Sequence, residues 1–173
     1  MRTAANLLLL SILFITACNN KPEAADHYFN DYEQAVGWMD AKLEKGVSHS
    51  GQYSQRIDPD REYSHGFTLP VTQLASRPEG ILKTEVWVTA VTINAPVKFV
   101  IDVVAPASNK HFKTVYEDLQ PLLSDLKGWK KATASLDLSG LPTNEPYVVK
   151  VYIWNNQQQQ LWMDDLSVQF IKR

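Results

Sequence analysis

The chain has 173 residues, with 17 Lys and Arg against 19 Asp and Glu, a formal charge of −2 and a single cysteine. That balance leaves no basic excess for a phosphate backbone, which argues against nucleic acid as a partner, and one cysteine cannot build a disulfide frame. Stability is then expected from a hydrophobic core, for which an apolar content of 45% suffices.

The first residues read as an address rather than as structure. Arg2 precedes an apolar run over 7–15, and Thr16-Ala17-Cys18 follow. The run is about half of the ~20 residues that span a bilayer, which is the pattern of a secretory signal. Ile15-Thr16-Ala17-Cys18 resembles the bacterial lipobox, and the resemblance implies cleavage before Cys18 and a diacylglycerol on its sulfur. The alternative, an ordinary signal peptide, leaves an unpaired thiol in an oxidising compartment. The expected organisation is a signal peptide over 1–17, a lipidated tether over 18–25 and one domain over 26–173. The tether is polar, contains Pro22 and reaches ~25 Å at full extension, so the domain is expected close to the membrane, at the bacterial outer membrane or elsewhere in the cell envelope.

Within the domain, residues 28–33 mix aromatics and acids and read as an edge strand. Ser48-His49-Ser50-Gly51 is a turn leading into a strand over 52–57, and 63–69 alternates again before Pro70. The runs 81–91 and 97–104 are the richest in β-branched residues and read as central strands. In the first, Val86, Val88 and Ala90 share one face and Glu85, Trp87 and Thr89 the other; in the second, Phe99, Ile101 and Val103 oppose Val100, Asp102 and Val104. Over 115–126 apolar residues fall at helical spacing, but Pro121 limits this to a short helical turn in a long connection. Residues 129–138, 147–154 and 162–170 complete the strands, and the last two are expected to form a hairpin whose glutamine-rich loop is a solvated tip. In the final strand, alternation places Trp162 and Asp164 on the apolar side with Leu166, Val168 and Phe170, and Asp165 toward solvent. About eight strands with almost no helical pattern give an all-β jelly-roll sandwich.

The order of motifs is similar to that of carbohydrate-binding modules of the CenC type, which are galactose-binding-like jelly rolls. The matching residues are Asn30, Tyr32 and Glu33, then Gly37-Trp38, residues 48–54, residues 86–90, Gly128-Trp129, Leu141-Pro142, residues 152–155 and residues 164–168. The resemblance implies a structural calcium held by Glu33, by carbonyls at Ser50 or Gly51, and by Asp164 or Asp165. Its oxygen donors suit that ion, and the alternative is that the acids are ordinary turn carboxylates. The resemblance also implies a saccharide partner bound by aromatic rings with a polar border. Alternation offers Trp87, Tyr152 and Trp154 for the rings, with Lys150 and Glu85 on the same side. The alternative for each tryptophan is a core or edge filler.

Catalytic patterns are missing from the sequence. It contains no Gly-x-Ser-x-Gly motif, and His27, His49, His65 and His111 lack metal-ligand spacing. The expected function is a lipid-anchored, noncatalytic carbohydrate-binding protein. A structural or protein-binding sandwich is the first alternative, and a small glycoside-active enzyme the second.

Overall fold

The computed structural model describes residues 27–34, 42–73, 79–141, 146–156 and 159–172. The expected signal segment, Cys18, the tether and the Gly37-Trp38 pair lie outside the described residues. Among the described residues ten strands follow one another: β1 (His27–Asn30), β2 (Lys42–Lys45), β3 (Tyr53–Ile57), β4 (Phe67–Pro70), β5 (Gly80–Ala90), β6 (Lys98–Ala105), β7 (Lys110–Asp118), β8 (Lys130–Asp137), β9 (Val148–Trp154) and β10 (Leu161–Lys172). A 3₁₀ turn (Val71–Gln73) follows β4, and one helical turn, α1 (Gln120–Leu123), joins β7 to β8.

The strands form two antiparallel sheets, one in the order β2-β3-β10-β5-β8 with β1 also on β10, the other in the order β4-β9-β6-β7. They make the expected jelly-roll β-sandwich. Alternation places the core as the sequence suggests: Leu82, Val86 and Val88 of β5, Phe99, Ile101 and Val103 of β6, and Val149, Val151 and Ile153 of β9 are fully buried in it. Each such side chain contributes roughly 1.5–3 kcal/mol by leaving water. Gln55 reaches across at one edge. With its amide turned to satisfy both groups, it bonds the backbone N–H and C=O of His65 at 2.8 Å each, tying β3 to the segment before β4.

β10 is the spine of the larger sheet. β5 runs along one of its edges; along the other, Leu161, Trp162 and Met163 pair with β3, and residues 166–169 pair with β1. The change of partner falls at a bulge, where Asp164 opposes Trp87, Ser167 opposes Glu85, and Asp165 takes φ 49°. Asp tolerates left-handed backbone better than most residues. The extra residue reverses the phase of the alternation. Leu161 and Met163 therefore join Leu166, Val168 and Phe170 in the core, which corrects the placement of Trp162 and Asp164 on the core side. Asp165 is likewise not turned to solvent, since its side chain is only 11% exposed.

Four more expectations change. β9 and β10 lie in different sheets and form no hairpin. At Gln159 their connection is not a solvated tip either, because this buried side chain accepts from the Asn94 N–H at 2.5 Å and donates to Ala95 O at 2.8 Å, while Asn155 Oδ1 accepts from the Gln159 N–H at 2.9 Å. The stretch 115–118 belongs to β7, leaving the helical turn to 120–123. Finally, the count exceeds about eight because β2, with the sequence KLEK, also pairs with β3. Its polar residues make partners instead of core: Lys42 Nζ bonds Asp58 at 2.6 Å, and Glu44 accepts from Trp162 Nε1 at 2.8 Å.

Candidate functional site

The outer face of the four-stranded sheet carries a cleft of about 430 Å³ lined by Tyr63, Thr68, Asp102, His111, Lys150 and Tyr152, among others. Strand pairing orders its side chains in rows. Across β4, β9, β6 and β7, one row reads Thr68, Lys150, Asp102, Thr114, and the next reads Tyr152, Val100, Tyr116 across β9, β6 and β7. Trp154 and Lys98 follow in a third. Residues two apart on a strand are separated by roughly 7 Å, so a polar row lies directly beside an aromatic one.

The segment 63–66 forms the wall beside β9. The Ser64 N–H donates to Ile153 O at 3.0 Å, and the Ile153 N–H donates to Ser64 Oγ at 2.9 Å. A Cβ on Gly66 would meet Val151 O at 1.8 Å, so glycine is what lets the segment lie this close. The wall brings Tyr63 edge-on to Tyr152, with ring centroids 5.7 Å apart, while Tyr116 tilts against Trp154 at 6.1 Å. Glu62 Oε1 accepts from Tyr63 OH at 2.9 Å and from Trp154 Nε1 at 3.2 Å, fixing both rims. Tyr63 and Tyr116 remain about half exposed, at 50% and 53%.

Asp102 is the buried charge of the floor, at 2% exposure. A buried carboxylate needs partners, and β7 supplies them: His111 Nδ1 lies 2.9 Å away and Thr114 Oγ1 donates at 3.0 Å. Burial, and then the nearby Asp102 charge and the phenols of Tyr116 and Tyr63, push the Tyr152 hydroxyl up to about 12. At neutral pH it stays a protonated donor.

The structure thus brings Lys150, Tyr152 and Trp154 together as expected, and corrects the placement of Glu85 and Trp87 beside them. Those two point from the outer face of the other sheet, since β5 and β9 belong to different sheets. Trp87 is covered by the His49 ring, stacked at 3.7 Å, and Lys131 Nζ lies 5.4 Å from its centroid; Glu85 pairs with Lys131 at 3.1 Å. Asp102, His111, Thr114, Tyr63 and Tyr116 were not singled out from sequence. The available signal was Asp102 itself, an acid within a β-branched run.

Glu33, Ser50, Gly51, Asp164 and Asp165, the residues expected to hold calcium, do gather around one turn, where β10 changes partner. Glu33 Oε1 accepts from the N–H groups of Gln52 at 2.7 Å and Tyr53 at 2.9 Å, and it lies 2.2 Å from where a Cβ on Gly51 would be. Gly51, at φ 59°, also takes backbone that side chains disfavour. Asp164 Oδ2 accepts from the N–H groups of His49 at 2.8 Å and Ser50 at 3.2 Å, and Oδ1 from that of Asp165 at 2.8 Å. Asp165 is held by His49 Nδ1 at 2.6 Å and Ser50 Oγ at 2.8 Å, and the Gly51 carbonyl accepts from Ser48 Oγ at 3.3 Å.

Calcium takes six to eight oxygens around one point. Here the turn offers Asp164 and Glu33 its N–H groups instead, filling both lone pairs of Glu33 Oε1 and of Asp164 Oδ2. Among the described residues no three His, Cys, Asp or Glu side chains gather as a metal set. As placed, these residues do not fit the ion. Melting curves in calcium and in excess chelator, at matched ionic strength, should therefore coincide; a higher melting temperature in calcium would show that the turn re-aims its carbonyls.

No family model matches the sequence, and no curated protein matches it. The fold does match solved structures. The second xylan-binding family 22 carbohydrate-binding module of Paenibacillus barcinonensis Xyn10C superposes with a TM-score of 0.54 at 15% identity, covering 83% of this chain and 99% of that one. The first such module of the same protein gives 0.51 at 12%, covering 85% and 86%, and a further xylan-binding domain of family 22 gives 0.52 at 12%, covering 86% and 97%. What is shared at these identities is architecture: the chain has the jelly-roll fold found in carbohydrate-binding modules.

Proposed function

We propose that this chain is a noncatalytic saccharide-binding module, similar to modules of the CenC type or of family 22, held at a bacterial envelope by a lipid on Cys18. The observation that carries the reading is the pair of adjacent rows on the outer face of the four-stranded sheet. Tyr152, Tyr116 and Trp154 offer rings to the apolar face of a sugar, while Lys150, Asp102, His111 and Thr114 border them with hydrogen-bonding groups. The structural neighbours named as xylan-binding modules make xylan-type chains the first ligands to try. Asp102 is the one carboxylate among the described residues lining the cleft, whereas glycoside hydrolysis ordinarily needs two flanking the bond.

Titration calorimetry with xylohexaose, followed by a glycan array, tests the reading. A cleft open to water gains few contacts, so dissociation constants of about 10 μM to 1 mM are expected. Absence of binding to every glycan would leave a structural sandwich in its place. The anchor is tested separately: Cys18→Ser should move the protein from the membrane to the soluble fraction. Unchanged membrane retention, with no lipid mass on the wild type, would remove the anchor.

A further inference from the structure

We propose that the cleft selects acidic saccharides, those bearing a uronic acid, through Lys150. The inference rests on the saccharide-binding reading and assigns the substrate class of that same site.

Pairing places Lys150 of β9 directly opposite Asp102 of β6, where opposite charges ordinarily form a cross-strand ion pair. They do not do so here. The Asp102 carboxylate turns the other way, to His111 Nδ1 and Thr114 Oγ1 on β7, and Lys150 makes no salt bridge among the described residues. The buried acid is thus satisfied without spending the lysine. Lys150 lines the cleft half-buried, between Thr68 and Asp102 in the polar row and one row from the Tyr152 ring. A sugar stacked on Tyr152 would set a ring carboxylate within reach of that ammonium. Lys98, the other cation of this face, lies 5.5 Å from the Tyr116 centroid, in the third row and away from the Asp102 row.

The setting of Lys150 favours an anion over a neutral hydroxyl. An ammonium partly shielded from water gains from a carboxylate a charge–charge attraction that a hydroxyl does not supply, and that attraction is stronger in a partly desolvated cleft than in bulk water. Asp102 repels a second carboxylate, but its hydrogen bonds point to β7, away from the β9 side of the cleft where Lys150 stands.

The test compares neutral xylotetraose, xylotetraose bearing one glucuronic acid, and the same acidic oligosaccharide after reduction of its carboxyl group to an alcohol. For the wild type at low salt, the acidic ligand should bind about tenfold or more tightly than the other two, the range of one charge-assisted contact. The preference should shrink in 0.5 M salt, as screening requires. In Lys150→Gln the ratio of acidic to neutral affinity should fall to about one, with an unchanged melting temperature showing that the domain is folded. Equal wild-type affinity for all three ligands, or a preference that survives Lys150→Gln, would overturn the inference and leave the saccharide reading standing. Failure of all three, together with an empty glycan array, would overturn both.

Discussion

Trp154→Ala and Tyr152→Ala should each abolish detectable saccharide binding while leaving the sandwich folded. Both side chains stand on the outer face of β9, half-buried against neighbouring rings rather than within the core. Aromatic anchors are the residues whose truncation typically costs 2 kcal/mol or more of binding, about thirtyfold, and that factor carries a dissociation constant of 10 μM to 1 mM to or beyond the limit of detection. The cost in stability should stay near 1 kcal/mol, the ordinary size for a side chain outside the core. A control lies between them on the same strand. Ile153 is fully buried, and Ile153→Ala should cost about 2–5 kcal/mol of stability, because it deletes core atoms and leaves a cavity. Adjacent positions on β9 should thus give opposite results in calorimetry and in melting. Two unfolded outer-face variants, or full binding by Trp154→Ala, would sink the assignment of this face.

Why the face of β9 was legible and its partner strand was not follows from what alternation encodes. A period of two tells which residues of one strand share a side, and it holds for β5, β6 and β9, where packed β-branched residues leave no other phase. It says nothing about which sheet a strand joins. Trp87 and Trp154 both alternate outward, yet long-range pairing sends β5 to β10 and β8, and β9 to β4 and β6, so the two rings leave the molecule from different sheets. Alternation also assumes an unbroken ladder. The bulge at Asp164 and Asp165 breaks it, and only the two adjacent aspartates, which tolerate left-handed backbone, hinted at it. β7 was hidden for another reason. Lys110, His111, Lys113, Glu117 and Asp118 make it an edge strand with a polar surface, a common way of guarding an edge, and Pro121 drew attention to a helical turn just beyond it. With β7 went His111 and Thr114, so the partners of Asp102 were invisible until the pairing was known.

The buried carboxylate at the bulge carries the other large effect. Asp164 is fully buried, and burial pushes its pKa up from 3.8 to about 6, against the pull of three backbone N–H groups and with a further push from Asp165. The folded protein therefore holds this proton more tightly than the unfolded chain does. The resulting stability is fully present below about pH 4, declines as pH rises, and is gone above about pH 6, with a total change on the order of 3 kcal/mol for a shift of about two units. Asp58 and Asp125, lowered by their lysine partners, act in the opposite sense, so the curve of the wild type alone is a sum. Asp164→Asn isolates the term, because it removes the titration and keeps the shape. It has a cost of its own: however the amide is turned, its NH₂ faces at least one backbone N–H that the carboxylate had accepted, a loss of about 1–3 kcal/mol for a buried group. That cost is constant with pH, so the stability difference between wild type and variant should fall by about 2–3 kcal/mol between pH 4 and pH 7. Urea unfolding at half-unit steps across that range measures it directly. A difference that stays flat would mean Asp164 is ionised throughout, and would remove the buried proton from this turn.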